Sequence, residues 1–147
     1  EHMAGKADFT EEEWKTLQQG ATGAGLLVSL AHRDFTDGFG EASAMAHELS
    51  DEHLTSPSQL VRELAAVRGT GFGLMSSPTK VADETLTALA AAVPMLQAKA
   101  PDELDAYRAF VLAVAERVAA AKGGVVAQET AMIARIRSAL GMEAAQA

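Results

Sequence analysis

Three carboxylates gathered within eight residues, Asp34, Asp37 and Glu41, form the cluster in this chain best suited to chemistry. Hard divalent cations such as Ca²⁺ or Mg²⁺ take oxygen ligands from carboxylates and turns, and Gly38, between the last two acids, allows the chain to bend around an ion. The spacing is not that of an EF-hand, because the glycine falls one place early and the loop is too short. A structural alternative stands beside the metal reading. Asp37 or a neighbour caps the next helix, and Glu41 sits in its first turns, where the helix dipole favours a negative charge.

Other constellations carry less chemistry. Ser43, Ser50, Ser56 and Ser58 lie near His47 and His53 in sequence, but no glycine-flanked serine on a strained elbow accompanies them. His47-Glu48 begins like a metalloprotease helix, yet Asp51 occupies the position of the required second histidine, so these residues read as exposed polar groups on an amphipathic helix. Gly69, Gly71 and Gly73 match neither a dinucleotide fingerprint nor a Walker loop and read as a connection between helices. That connection also holds Phe72, Leu74 and Met75, which either fold back on the core or contact a partner. Gly20, Gly23 and Gly25 form a small-residue patch that either lets a helix approach a neighbour closely or breaks it. The absence of cysteine excludes disulfides, zinc–thiolate sites, iron–sulfur clusters and thiol nucleophiles. Five Phe, one Trp and one Tyr are spread thinly, which disfavours a large aromatic cavity for haem or flavin.

The elements that must position these residues are helical. Leu104, Tyr107, Val111, Val114 and Val118 recur at intervals of three and four, with Pro101 in the first turn and Asp102, Glu103 and Asp105 at the positive end. Gly123 and Gly124 stop this helix. The next carries Ile133, Ile136 and Leu140 and ends at Gly141. Thr10 and Glu13 form a capping box ahead of Trp14, Leu17, Leu27, Leu30 and Ala31, in a stretch that the three glycines could interrupt. A helix over Glu41 to Leu49 buries Met45 and Leu49, and another starts near Ser56-Pro57 and uses Leu60, Leu64 and Val67. A further helix follows Ser77-Pro78 with Leu86, Leu89, Val93 and Leu96, and Pro94 is expected to end or kink it. No stretch alternates with period two, so the fold class is all-α: one compact bundle of about six helices.

Size and charge agree with one helical domain. The chain has 147 residues, 48% hydrophobic and 22% charged, with net charge −8 and pI near 4.9. Acidity argues against nucleic acid and anionic membrane as partners, since phosphate contacts need clustered Lys and Arg. The longest apolar stretch, Gly20 to Ala31, is too short to span a bilayer and follows three glutamates where a signal peptide needs basic residues. The expected location is therefore the cytoplasm. Glu1 to Met3 read as a cloning remnant, and residues 4–147 as a single domain.

The run from Val114 to Glu129, Val-Ala-Glu-Arg-Val-Ala-Ala-Ala-Lys-Gly-Gly-Val-Val-Ala-Gln-Glu, resembles the signature of TerB-like domains. That signature is an apolar helix ending in Ala-Asp-Gly, a branched aliphatic two residues after the glycine, and a glutamate four residues later. Gly123, Val125 and Glu129 take those positions, and the following helix to Leu140 and Gly141 also fits. The family is all-α and occurs in tellurite-resistance proteins and at the N-terminus of a DnaJ-like co-chaperone. Its helical pairs carry an internal pseudo-repeat, traced here by Ala31, Asp34 and Glu41, which lie 88 residues before Ala119, Lys122 and Glu129. The resemblance implies divalent-metal binding through acidic residues in these turns. Lys122 stands where the second signature Asp belongs and opposes a cation there, which leaves Asp34, Asp37 and Glu41 as the metal site.

The resulting expectation is a non-catalytic, cytoplasmic, TerB-like helical module with a stress-associated binding or scaffold role. An ion-ordered turn before the second helix would re-aim a helix face toward a protein partner. The alternative is an interaction domain without metal, a homodimer among its forms, favoured if the Leu104 to Val118 face or the Phe72 to Met75 loop is exposed. A small enzyme with Glu41 or Glu129 as carboxylate base is the third reading and needs a concave pocket around that base.

Overall fold

Thr10 and Glu13 close the expected capping box: Glu13 N–H donates to Thr10 Oγ1 at 3.0 Å, and Thr10 N–H donates to Glu13 Oε1 at 2.9 Å. Phe9, just before the cap, packs on Trp14 in the first turn, with ring centroids 6.0 Å apart. This hydrophobic staple fixes the angle at which the chain enters the helix. The computed structural model describes residues 5–31, 38–66, 77–120 and 127–142. The helices are α1 (Glu11–Ala31), α2 (Gly38–Thr55), α3 (Gln59–Ala65), α4 (Pro78–Lys99), α5 (Leu104–Ala120) and α6 (Ala127–Ala139). No strand occurs among the described residues, and the bundle is all-α.

Helix α1 is the axis of the bundle. It packs chiefly against α4 and α5 and also meets α6, while α2 and α3 cover α5 from another side. Gly20 to Gly25 are all buried, so this part of α1 is enclosed on every face. The glycines do not break the helix. A Cβ on Gly20 would strike the Tyr107 hydroxyl, one on Gly23 would strike Thr85, and one on Gly25 would strike the Met45 sulfur of α2 and lie 3.0 Å from Val114 Cγ1. Each glycine costs about 1 kcal/mol of helix propensity, and the close approach of α4 and α5 that it permits offsets this through dispersion and burial.

Pro94 does not end α4, which continues to Lys99. Pro94 and Ala90 are both exposed, so the Ala90 carbonyl that loses its intrahelical donor can bond to water. Leu89, Ala92 and Leu96 are fully buried on either side and hold the helix in place. Ser77 caps α4 by accepting from Lys80 N–H at 3.1 Å, with Pro78 in the first turn. Helix α3 starts after Ser58 rather than Ser56: Ser58 Oγ accepts from Val61 N–H at 3.1 Å. Helix α2 runs from Gly38 to Thr55, longer at both ends than the apolar spacing alone indicated.

A short 3₁₀ turn over Pro101–Glu103 precedes α5, whose apolar face is buried throughout: Leu104, Tyr107, Phe110, Val111, Val114 and Val118. That face belongs to the core of this chain and is not an exposed stripe. Helix α6 ends in a Schellman motif, with Met142 N–H donating to Arg137 O at 2.9 Å and Gly141 N–H to Ser138 O at 3.0 Å. Gly141 supplies the positive φ of 75° that this ending requires. Arg108 Nε then donates to Leu140 O at 2.9 Å and ties α6 to α5.

Candidate functional site

The expected metal residues are only partly visible. Glu41 is the fourth residue of α2. Its side chain, Asp34, Asp37 and Lys122 all lie outside the described residues, as do Gly69 to Met75, Gly123 and Gly124. Glu129 belongs to α6, and its side chain is likewise outside them. Among the described residues, no group of three or more His, Asp or Glu could hold a metal ion.

The described residues instead form a cleft that the sequence did not advertise. Helix α3 buries Leu60, Val61, Leu64 and Ala65, which turns Gln59, Arg62, Glu63 and Ala66 outward on its opposite face. The N-terminal segment lies across from that face and is tied to it. Lys6 N–H donates to Glu63 Oε1 at 2.6 Å, Gln59 Nε2 donates to Glu63 Oε2 at 3.0 Å, and Gly5 N–H donates to Asp8 Oδ2 at 2.9 Å. Between them opens a cleft of about 990 Å³, within the size range of small-molecule sites. Phe9 lines it from just before α1, Trp14 from the first turn of α1, and His53 from the end of α2.

Three features mark the residues around the cleft. The Trp14 indole N–H is buried away from solvent and has no acceptor, a polar atom left unmet within the packed side of the wall. His53 Nδ1 lies 3.0 Å from the Arg62 carbonyl, which can only accept, so the hydrogen sits on Nδ1 and Nε2 carries the lone pair in the neutral ring. Arg62 Nη1 donates to Ser56 O at 2.7 Å and fixes the turn between α2 and α3. Behind the aromatic wall, Lys99 Nζ pairs with Glu13 Oε1 at 2.5 Å and lies 5.7 Å from the Phe9 ring centre. The Lys99 ammonium, and then the Thr10 amide, hold the Glu13 carboxyl below its usual range.

A second polar cluster joins α2 to α5. Arg117 Nη1 reaches Glu48 Oε1 at 2.8 Å and Asp51 Oδ2 at 3.3 Å. Burial, with the neighbouring Glu48 and Asp51 carboxylates, pushes Glu52 up to about 7. Glu48 is buried, so the reading of His47-Glu48 as an exposed polar pair is corrected: His47 is exposed, while Glu48 turns inward to an arginine 69 residues away. The acidic stripe at Glu48, Asp51 and Glu52 was visible as helical spacing, but its distant partner was not.

The hydroxyls nearest the histidines in sequence have structural roles. Ser58 Oγ donates to Glu103 Oε1 at 2.6 Å, and Ser56 Oγ accepts from Ser58 N–H at 3.1 Å. Trp14 and Phe9 were legible as cap residues, since one aromatic before Thr10 and another four after it is a staple pattern. Their place in a cleft depended on α3 folding back beside them. No described helix is long and apolar enough to cross a membrane. No protein-family model, curated protein or solved structure matches this chain.

Proposed function

We propose that this chain is a non-catalytic helical binding module and that the cleft between its N-terminal segment and α3 is the recognition site. The observation that carries the reading is the cleft itself: an aromatic wall of Phe9 and Trp14 facing the polar face of α3, with His53 beside it. Ligand sites combine a mostly apolar lining with a few fixed polar groups in this way. The use of the Ser56 and Ser58 hydroxyls in capping and in tying α3 to the rest of the bundle supports binding rather than group transfer.

In this reading the chain is TerB-like, cytoplasmic and stress-associated. The support is the segment from Val114 to Glu129, which spans the end of α5 and the start of α6, where the family pattern places it. Ion binding at Asp34, Asp37 and Glu41 belongs to the same proposal, and calorimetric titration with Ca²⁺ and Mg²⁺ tests it; no heat at millimolar ion removes metal from the account.

The cleft is tested by a fragment screen read by NMR. The chain has one tryptophan, so the Trp14 indole gives a single resonance inside the site. Fragments should shift it together with the amides of Gln59 to Ala66, and Ala66→Phe, which fills the cleft from an exposed position, should abolish those shifts. A screen that moves none of these signals would sink the proposal.

A further inference from the structure

Charge gives the cleft no preference, because Lys6 and Arg62 are matched in its lining by Glu11 and Glu63. Selection there falls to polar groups of fixed direction. His53 supplies one. The Ala66 N–H, which would extend α3 by donating to the Arg62 carbonyl, donates to Glu63 O at 3.2 Å instead. His53 Nδ1 lies 3.0 Å from the carbonyl left over and gives it a hydrogen. Moving that hydrogen to Nε2 would set the Nδ1 lone pair against the carbonyl lone pairs, so the bond holds both the ring and its tautomer. Nε2 of the neutral ring is then an acceptor held in place, exposed and without a partner among the described residues. Of the two carboxylates in the lining, Glu63 is taken up by the Lys6 amide and Gln59, and no hydrogen bond among the described residues fixes Glu11.

We propose that His53 is the specificity-determining residue of the cleft: its Nε2 accepts a hydrogen bond from an O–H or N–H carried by a neutral aromatic ligand whose ring lies against Phe9 and Trp14. The proposal rests on the cleft being the recognition site. A flat ring suits an aromatic wall. An O–H or N–H on that ring gives up a bond to water on entering, and an acceptor already in position replaces it. One side chain thus has two duties, with Nδ1 closing the end of α3 and Nε2 reading the ligand. Asparagine separates them, because its amide nitrogen can donate where Nδ1 does while nothing stands where Nε2 was.

The test has two parts. In the free chain, long-range ¹H–¹⁵N spectra in mildly alkaline buffer, where an imidazole is neutral, should show the His53 hydrogen on Nδ1. The chain has four histidines, and the signals lost in His53→Asn assign this one. Next, 2-naphthol and its methyl ether, which share one ring and differ in the donor, are titrated into the full chain and followed by NMR. Naphthol should bind about fivefold tighter, the worth of one neutral hydrogen bond, and should shift His53 Nε2. His53→Asn should remove that preference and leave the affinity for the ether unchanged. A hydrogen found on Nε2, equal binding of the two probes, or a preference that survives His53→Asn overturns the role of His53 while leaving the cleft as a binding site. Loss of the ether in that variant also overturns it, since the cap on α3 and not the lone pair would then govern the cleft. If neither probe binds the parent chain the proposal falls as well, and the fragment screen decides whether the cleft binds anything.

Discussion

The Tyr107 hydroxyl rests on α1 at the point where Gly20 has no side chain: it donates to the Leu17 carbonyl at 2.8 Å, and a Cβ on Gly20 would collide with it. Tyr107 is fully buried, and burial pushes its phenol well above the usual range, so it remains a neutral donor. The glycine and the tyrosine, brought together across the α1–α5 contact, are two halves of one packing arrangement.

Gly20→Ala should therefore destabilise the chain by about 2 kcal/mol through overpacking, even though alanine is the better helix former. Tyr107→Phe alone should cost about 1 kcal/mol for the lost hydrogen bond. In the double variant the two costs should sum to less than their separate values, because removing the hydroxyl makes room for the new methyl. Denaturant unfolding of all four species measures the coupling, and simple additivity would contradict it.

Thr85 is fully buried against Gly23, and its hydroxyl has no hydrogen-bond partner. Thr85→Val exchanges that hydroxyl for a methyl of similar size. The variant should be more stable by about 1 kcal/mol, the desolvation cost of an unpaired hydroxyl. A lower thermal midpoint in calorimetry would show that the close contact with α1 outweighs the polar penalty.

Glu52 gives stability a definite pH dependence. Its folded-state pKa is raised from 4.5 to about 7, so between those values the folded chain holds a proton that the unfolded chain has released. The stability this carboxyl contributes is greatest below pH 4.5 and is lost as pH rises toward 7. Glu52→Gln should flatten that fall. At pH 8 the variant should exceed the parent by about 1 kcal/mol, allowing for solvent screening, and at pH 4 the two should be nearly equal. Parallel unfolding curves at the two pH values decide it.

Thr10→Ala removes one side of the capping box and should cost about 1 kcal/mol, read from denaturant midpoints. Asp or Ser at this position should restore most of the loss, since either can accept from the Glu13 amide. A loss that Ser fails to restore would point to the methyl of Thr10 rather than its hydroxyl.

The sequence by itself determined the helices wherever their signals are local. Thr10 with Glu13, Ser77 with Pro78, and Gly141 after Leu140 mark boundaries within a few residues of chain, and the apolar spacing of Leu104 to Val118 identifies a face that the core then buries. Tertiary structure decided how each ambiguous signal resolved. Gly20, Gly23 and Gly25 could break a helix or admit a neighbour, and only the arrival of Tyr107, Thr85, and Met45 with Val114 made them points of close approach. Glu48 could face water until Arg117, 69 residues on, turned it inward. The cleft joins Phe9 and Trp14 to His53 and to the outer face of α3, which no periodicity connects. Caps and amphipathic faces are set by backbone geometry over a turn or two, whereas pairing between distant side chains depends on how whole helices pack.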